Sequence, residues 1–268
     1  MSAKPRATKF KILLCGRIAI VKQYEKEIWY NTLYPKLKKS KTGLGEREKT
    51  EEEKKDLRKR ANYRARNNVY NLISTNAWFW KKEDDSTFLP VFLTLTFGEN
   101  ITNIKEGNYL HSKFIKRLNY HIHGTKKMQL KYLSVIEFQK RGAIHYHIIF
   151  FNLPFIHKSE ISEIWDQGFI LIKKIDDRKN VAGYLTKYMS KGNNDTRLDK
   201  KKRYMCSRKL LRPIEINVQE EALKLIEKIP QKYIKKTDSF NSDYFGQVTV
   251  TEYDFGKGKT VKDVVYYS

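Results

Sequence analysis

Apolar and polar positions recur along this chain with two distinct periods, and the periods name most of its elements. Near the start, β-branched and aliphatic residues crowd residues 9–22, which reads as strand. The stretch "EREKTEEEKKDLRKRANYRARNNVYNLIST" reads as a charged helix. Its acidic half precedes its basic half, in keeping with the helix dipole, and Tyr63, Val69, Tyr70, Leu72 and Ile73 suggest an apolar stripe in the later turns. "TFLPVFLTLTF" at 87–97 is a buried strand pattern, and Leu110, Phe114 and Leu118 at four-residue spacing mark a helix after it. Two further strands, "MQLKYLSVIEF" and "GAIHYHIIFFN", flank a turn at "QKRG". A short helix over about 158–165, a strand at 169–175 and a helix from about 178 to 191 complete the run.

The order β-α-β-β-α-β predicts an α+β protein with a ferredoxin-like core built on a central antiparallel sheet. Non-catalytic RNA-binding modules share that order, so the order alone implies no chemistry. Three regions follow: a basic N-terminal region with a helix (1–80), the core (81–192), and a basic C-terminal region (193–268). The last region holds a helix at 219–229 and a hairpin expected within "YFGQVTVTEYDFGKGKTVKDVVYYS". Its "GKGKT" is like the end of a phosphate-binding loop. The first glycine of such a loop would fall at Tyr253, and the segment is expected between strands, so a nucleotide site is rejected.

Charge sharpens the picture. With 54 Lys+Arg against 30 Asp+Glu the formal net charge is +24, the electrostatic signature of a polyanionic partner, with nucleic acid ahead of acidic lipid. Seventeen tyrosines provide flat rings on which single-stranded bases can stack. The basic candidates for phosphate contact are Arg58, Lys59, Arg60, Arg64 and Arg66, then Lys140 and Arg141, then Lys201, Lys202 and Arg203. A solvated helix face explains Arg58 to Arg66 equally well. Two cysteines are too few for a disulfide framework or a Cys-type zinc site. "FKILLCGRIAIV" is too short to span a bilayer and lacks a cleavage pattern, so a cytoplasmic protein of a bacterial host cell is expected.

His145 and His147 are separated by one residue in a strand, so both imidazoles leave the same face and Tyr146 the other. Six histidines in the chain make about 0.1 such pairs by chance, and His121 and His123 form a second pair. If the "QKRG" turn is tight and centred near Arg141, Glu137 lies opposite His145 on the same face and adds a carboxylate. That set suits a divalent cation, Mn²⁺ or Mg²⁺, with zinc possible by ligand type. The competing reading has Glu137 ion-paired to Arg141. Farther along, Tyr184, Lys187, Tyr188 and Lys191 share a helical stripe, while Val181, Leu185 and Met189 form a neighbouring docking face. A stripe of phenols and ammonium groups makes a poor core face.

Three ordered motifs carry a family resemblance over about residues 70–192. "FLTLTF" (92–97) resembles the first motif of the HUH endonuclease superfamily. "HYH" (145–147) resembles its histidine–hydrophobic–histidine motif, with Tyr146 in the middle position. "YLTKYMSK" (184–191) resembles its two-tyrosine third motif. The chain is similar, within that superfamily, to rolling-circle replication initiators of small plasmids and single-stranded DNA phages. The resemblance implies a metal held by His145 and His147 with Glu137 as third ligand. It also implies catalytic roles for Tyr184, Tyr188, Lys187 and Lys191, and a 5′-phosphotyrosine intermediate on single-stranded or hairpin origin DNA. By the family's use of the first tyrosine, Tyr184 is a nucleophile, with Tyr188 alternating. No helicase motif is present, so a host helicase and a DNA polymerase are the expected partners. A transposase or mobilisation relaxase of the same superfamily, or a non-catalytic ferredoxin-like binding module, are the rival readings.

Overall fold

The computed structural model describes residues 6–30, 48–175, 181–191, 195–256 and 258–265, without the side chains of residues 190, 191, 262 and 265. In chain order the elements begin with β1 (Arg6–Cys15), β2 (Ile18–Tyr30) and α1 (Glu51–Asn76). Then come β3 (Val91–Phe97), α2 (Ile104–His123), β4 (Tyr132–Phe138), β5 (Ile144–Phe150), α3 (Lys158–Trp165), β6 (Gly168–Lys174) and α4 (Val181–Lys191). The remainder comprises β7 (Tyr204–Cys206), β8 (Ile214–Ile216), α5 (Gln219–Lys228), β9 (Ile234–Ser242), β10 (Gly246–Asp254) and α6 (Val261–Val265). No described helix is long and apolar enough to cross a membrane.

Two compact units result, one of residues 1–50 with 212–268 and one of residues 51–211. In the first, five antiparallel strands run in the order β8-β1-β2-β10-β9. Strands read from the N-terminal and C-terminal regions thus belong to one sheet, with Ile12, Ala19 and Val21 clustered with Ala222 and Leu225 of α5 and Val261 and Val264 of α6. At the irregularity between Thr8 and Phe10, the Gln219 side chain accepts from the Lys9 backbone N–H at 2.8 Å, serving a donor that the β1–β2 ladder leaves out. The C-terminal hairpin sits earlier than expected. Its strands are β9 and β10, and the segment after "GKGKT" is the short helix α6 rather than a returning strand. Tyr253, which occupies the place of the missing glycine, is 8% exposed in this core. Lys257 of "GKGKT" lies outside the described residues.

The second unit carries the expected core. Its sheet runs β6-β3-β5-β4-β7 with every neighbouring pair antiparallel, so β5 sits between β3 and β4, which are joined through α2. This is the split βαβ arrangement, with β7 added at one edge. Strict alternation sorts the residues of the central strands. Leu93, Leu95, Ile144, Tyr146 and Ile148 point to one face and bury Phe114, Ile161 and Trp165 of α2 and α3. Phe92, Leu133, Val135 and Ile149 point to the other, where they meet Val69, Leu72 and Ile73 of α1 and Val181, Leu185 and Met189 of α4. Tyr63 does not join that stripe. It is 64% exposed, and the apolar part of α1 starts at Val69. The first residues of the helix expected from 178 lie outside the described residues.

Candidate active site

The β4–β5 turn sets the register on which the site depends. Gln139 N–H donates to Ala143 O, and Gly142 N–H donates to Gln139 O, both at 2.8 Å. Gly142 holds φ +88°, a conformation that a side chain would strain. The resulting ladder places Glu137 opposite His145 and Val135 opposite His147. Arg197 braces the turn from outside: its guanidinium donates to Gly142 O at 2.8 Å, stacks 3.7 Å from the Phe138 ring centroid and pairs with Asp195.

Glu137, His145 and His147 each offer a ligand atom within 4.8 Å of the others. Glu137 does not pair with Arg141. Its Oε2 lies 2.6 Å from His147 Nε2, and Arg141 instead donates to the Gln139 side chain. On its other nitrogen, His147 Nδ1 is 3.1 Å from Thr94 Oγ1, since Thr94 is its ladder partner on β3. The threonine hydroxyl can donate or accept, so it supports either imidazole tautomer. Thr94 is a site residue that motif matching did not single out. The signal was available, because Thr94 occupies the same-face position of "FLTLTF".

His145 Nε2 is buried and has no hydrogen-bond partner. Desolvation, helped by His147 and Arg141 and opposed by Glu137, pushes this imidazole below the usual histidine range, which keeps it neutral. A buried imidazole nitrogen with no partner, beside a carboxylate and a second imidazole, is the donor set that a divalent cation satisfies. These three residues therefore fit the metal that the resemblance implies.

Helix α4 lies over the same face. Tyr188 stacks on His147 with ring centroids 3.7 Å apart, and Tyr184 meets Phe92 edge-on at 4.7 Å. The two tyrosine rings are 5.9 Å apart. Burial first, then its hydrogen bond with Tyr184 and the nearby Glu137 charge, push the Tyr188 phenol well above its ordinary range. Both tyrosines thus take part in docking α4, alongside Val181, Leu185 and Met189. Lys187 remains exposed, with its ammonium 5.4 Å from the Tyr184 ring centroid. The Lys191 side chain lies outside the described residues. The position of α4 is held from α1, where buried Asn62 donates to Met189 O at 3.2 Å.

Beside His145 and Glu137 opens a cleft of about 820 Å³, lined also by Phe138, Gln139, Lys140 and Arg141. Lys140 and Arg141 are exposed there, as are Lys59, Arg60, Arg64 and Arg66 on α1, and Lys201 and Lys202. Lys59, Arg60 and Arg64 surround Tyr63 in a shallow depression. Two of the basic candidates sit differently. Arg58 turns inward to Asp199 at 2.8 Å, and Arg203 is only 9% exposed, so both have structural surroundings rather than an open surface. Of the other histidine pair, His121 reaches Glu160 at 2.9 Å while buried His123 Nε2 has no partner, because residues two apart diverge on a helix.

Residues 90–193 match a family of replication-associated proteins, described as the ORF2 and gene-2 protein type. The matched span covers β3 to the end of α4 and contains Glu137, His145, His147, Tyr184 and Tyr188. It supports a rolling-circle replication initiator family and, with it, DNA binding in replication. No curated protein and no solved structure matches the chain.

Proposed function

We propose that this protein is a metal-dependent, site-specific nickase and strand transferase for single-stranded origin DNA, of the two-tyrosine HUH type. The observation that carries the proposal is the convergence of Glu137, His145 and His147 beneath the tyrosine helix, with Tyr188 in ring contact with His147. Metal clusters and tyrosine stripes each arise by chance. Their meeting on one face, within a segment matched by a replication family, has a functional reading that accounts for all of it.

In this reading His145, His147 and Glu137 hold a divalent cation, Mn²⁺ or Mg²⁺. When bound, the cation withdraws charge from a nonbridging phosphate oxygen and so favours the charge-rich transition state. Thr94 fixes the ring of His147 from behind, the ordinary role of a partner to a ligating imidazole. A tyrosine hydroxyl, Tyr184 in the first cleavage and Tyr188 in the second, attacks phosphorus. An O–P bond to the phenol forms, the phenolic proton leaves, and the P–O3′ bond breaks. The departing 3′ oxygen takes up a proton and is left as a primer end. A phenol is a weak nucleophile at neutral pH, so Lys187 and Lys191 are assigned to stabilise phenolate or to protonate the leaving oxygen. The phosphotyrosine conserves the energy of the cleaved bond, and rejoining needs no nucleotide. Lys140 and Arg141 guide the strand into the cleft beside His145. Unwinding falls to a host helicase and synthesis to a host polymerase.

The test is a denaturing gel of labelled single-stranded origin DNA with wild type, Tyr184→Phe, Tyr188→Phe and the double variant, in Mn²⁺ or EDTA. A covalent adduct that needs metal and vanishes in the double variant is expected. Tight binding of origin DNA without any adduct would leave a binding module and sink the chemistry.

A further inference from the structure

At the other end of β4 from Glu137, a second group of side chains presents donors and no acceptor. Lys131, immediately before the strand, is only 9% exposed. Its ammonium lies 5.1 Å from the ring centroid of Trp80. Trp80 Nε1 is buried without a hydrogen-bond partner, and so is His123 Nε2 at the end of α2. His123 and Lys209 both lie within electrostatic reach of Lys131, and each disfavours charge on its neighbour. Among the described residues no carboxylate forms an ion pair with Lys131 or Lys209.

That combination runs against what a folded chain tolerates. A lysine is seldom buried unless an anion accompanies it, and well over 90% of buried polar groups find a partner. Here two ammonium groups, an indole N–H and an imidazole nitrogen are gathered with nothing to accept from them. Burial lowers the pKa of Lys131, and the repulsion from Lys209 adds to it. A bound oxyanion would relieve all of these strains together.

We propose that Lys131, His123, Trp80 and Lys209 form a phosphate-binding site distinct from the metal-type cluster. A phosphoryl group supplies several acceptor oxygens and a full negative charge, which match at least three donors and a second cation. The strand rise puts Lys131 about 20 Å from Glu137, too far to share one phosphate. Two sources offer this chemistry: free inorganic phosphate, or a phosphodiester of bound DNA. Only the second rests on the nickase reading.

The experiment compares thermal unfolding of the full chain in potassium phosphate and in potassium chloride at equal pH and ionic strength. Wild type is expected to melt several degrees higher in phosphate, because a ligand of the folded state alone raises the midpoint. Lys131→Met should abolish that rise while melting at or above wild type in chloride, since it replaces an unpaired charge with an apolar chain of similar shape. Should Lys131→Met fail to fold, Lys209→Gln at an exposed position and Trp80→Phe, which keeps the ring and deletes only the N–H, should each diminish the phosphate response. No response in wild type, or the same response in every variant, would overturn the site. A labelled oligonucleotide then separates the sources. Weaker oligonucleotide binding by Lys131→Met, with phosphate competing, supports the site as a backbone contact. Unchanged oligonucleotide binding supports it as a site for free phosphate. Loss of nicking chemistry in the gel assay leaves the phosphate comparison untouched.

Discussion

The imidazole of His147 lies against the phenol ring of Tyr188, with centroids 3.7 Å apart and planes 25° from parallel. One ring comes from the central strand of the sheet and the other from the helix that covers it. A candidate ligand and a candidate nucleophile therefore share one packed surface, and a change at either is felt by the other.

Metal binding should appear as stabilisation. At a concentration one hundred times its Kd, a cation held only by the folded state adds about 2.7 kcal/mol. Scanning calorimetry in Mn²⁺ against EDTA should show this rise in wild type. His145→Ala should melt close to wild type in EDTA, because His145 Nε2 has no partner to lose, yet should show no metal response. A full metal response in His145→Ala would remove that residue from the ligand set.

Thr94→Val keeps the shape of the strand residue and deletes the hydroxyl behind His147. Loss of such a partner costs about 10–100-fold in metal affinity or activity. A Mn²⁺ titration of adduct formation should shift to higher metal concentration by that order. An unchanged titration would make Thr94 a packing residue only.

The tyrosines should separate by role. Either Tyr→Phe change keeps its ring contact, with Phe92 or with His147, so the melting temperature should move little. The adduct should fall most in Tyr184→Phe on a substrate that is cut once, while Tyr188→Phe should fail in a second strand transfer. The opposite pattern in the gel would exchange their roles.

Basic residues should also divide into two kinds. Gln at Lys59, Arg60 and Arg64 should leave stability intact and flatten the salt dependence of single-stranded DNA binding, by about 0.7 in log–log slope for each phosphate no longer neutralised. Arg58→Gln removes a partly buried pair with Asp199 and should instead lower stability, on the order of 1–3 kcal/mol. Binding isotherms at several salt concentrations, beside urea unfolding, distinguish the two kinds.

His111 predicts an acid limb. It is buried against Tyr146 with ring centroids 4.6 Å apart, and burial pushes its imidazole down to about 3. The unfolded chain takes up a proton there below about pH 6.5, whereas the folded chain does not, so stability falls as pH drops through that value toward about 3. The slope from this one group reaches about 1.4 kcal/mol per pH unit. His111→Phe should flatten the decline in urea midpoints between about pH 7 and about pH 5. An identical decline would place the acid sensitivity elsewhere.

Much of the core unit was legible because its signals are local. Period-two alternation in "FLTLTF" and "GAIHYHIIFFN" assigned faces, and a tight turn at "QKRG" placed Glu137 opposite His145 as expected. Other features were misread for equally physical reasons. The β-branched residues near the end suit a strand, but they form α6 and pack against Tyr253 and Phe255. Arg58 belongs to a run of basic residues, and only the nearness of Asp199 turns it inward.

By itself, the sequence determined the element order, the charge and the shared face of His145, His147 and Glu137. These follow from backbone periods that act within a few residues. The tertiary structure decided what meets across distance: Thr94 behind His147 from 53 residues away, Tyr188 on the opposite ring, and Arg17 pairing with Asp254 across 237 residues. Such contacts form because burial of one face brings separate elements together. That driving force is non-directional along the chain and leaves no local pattern to read.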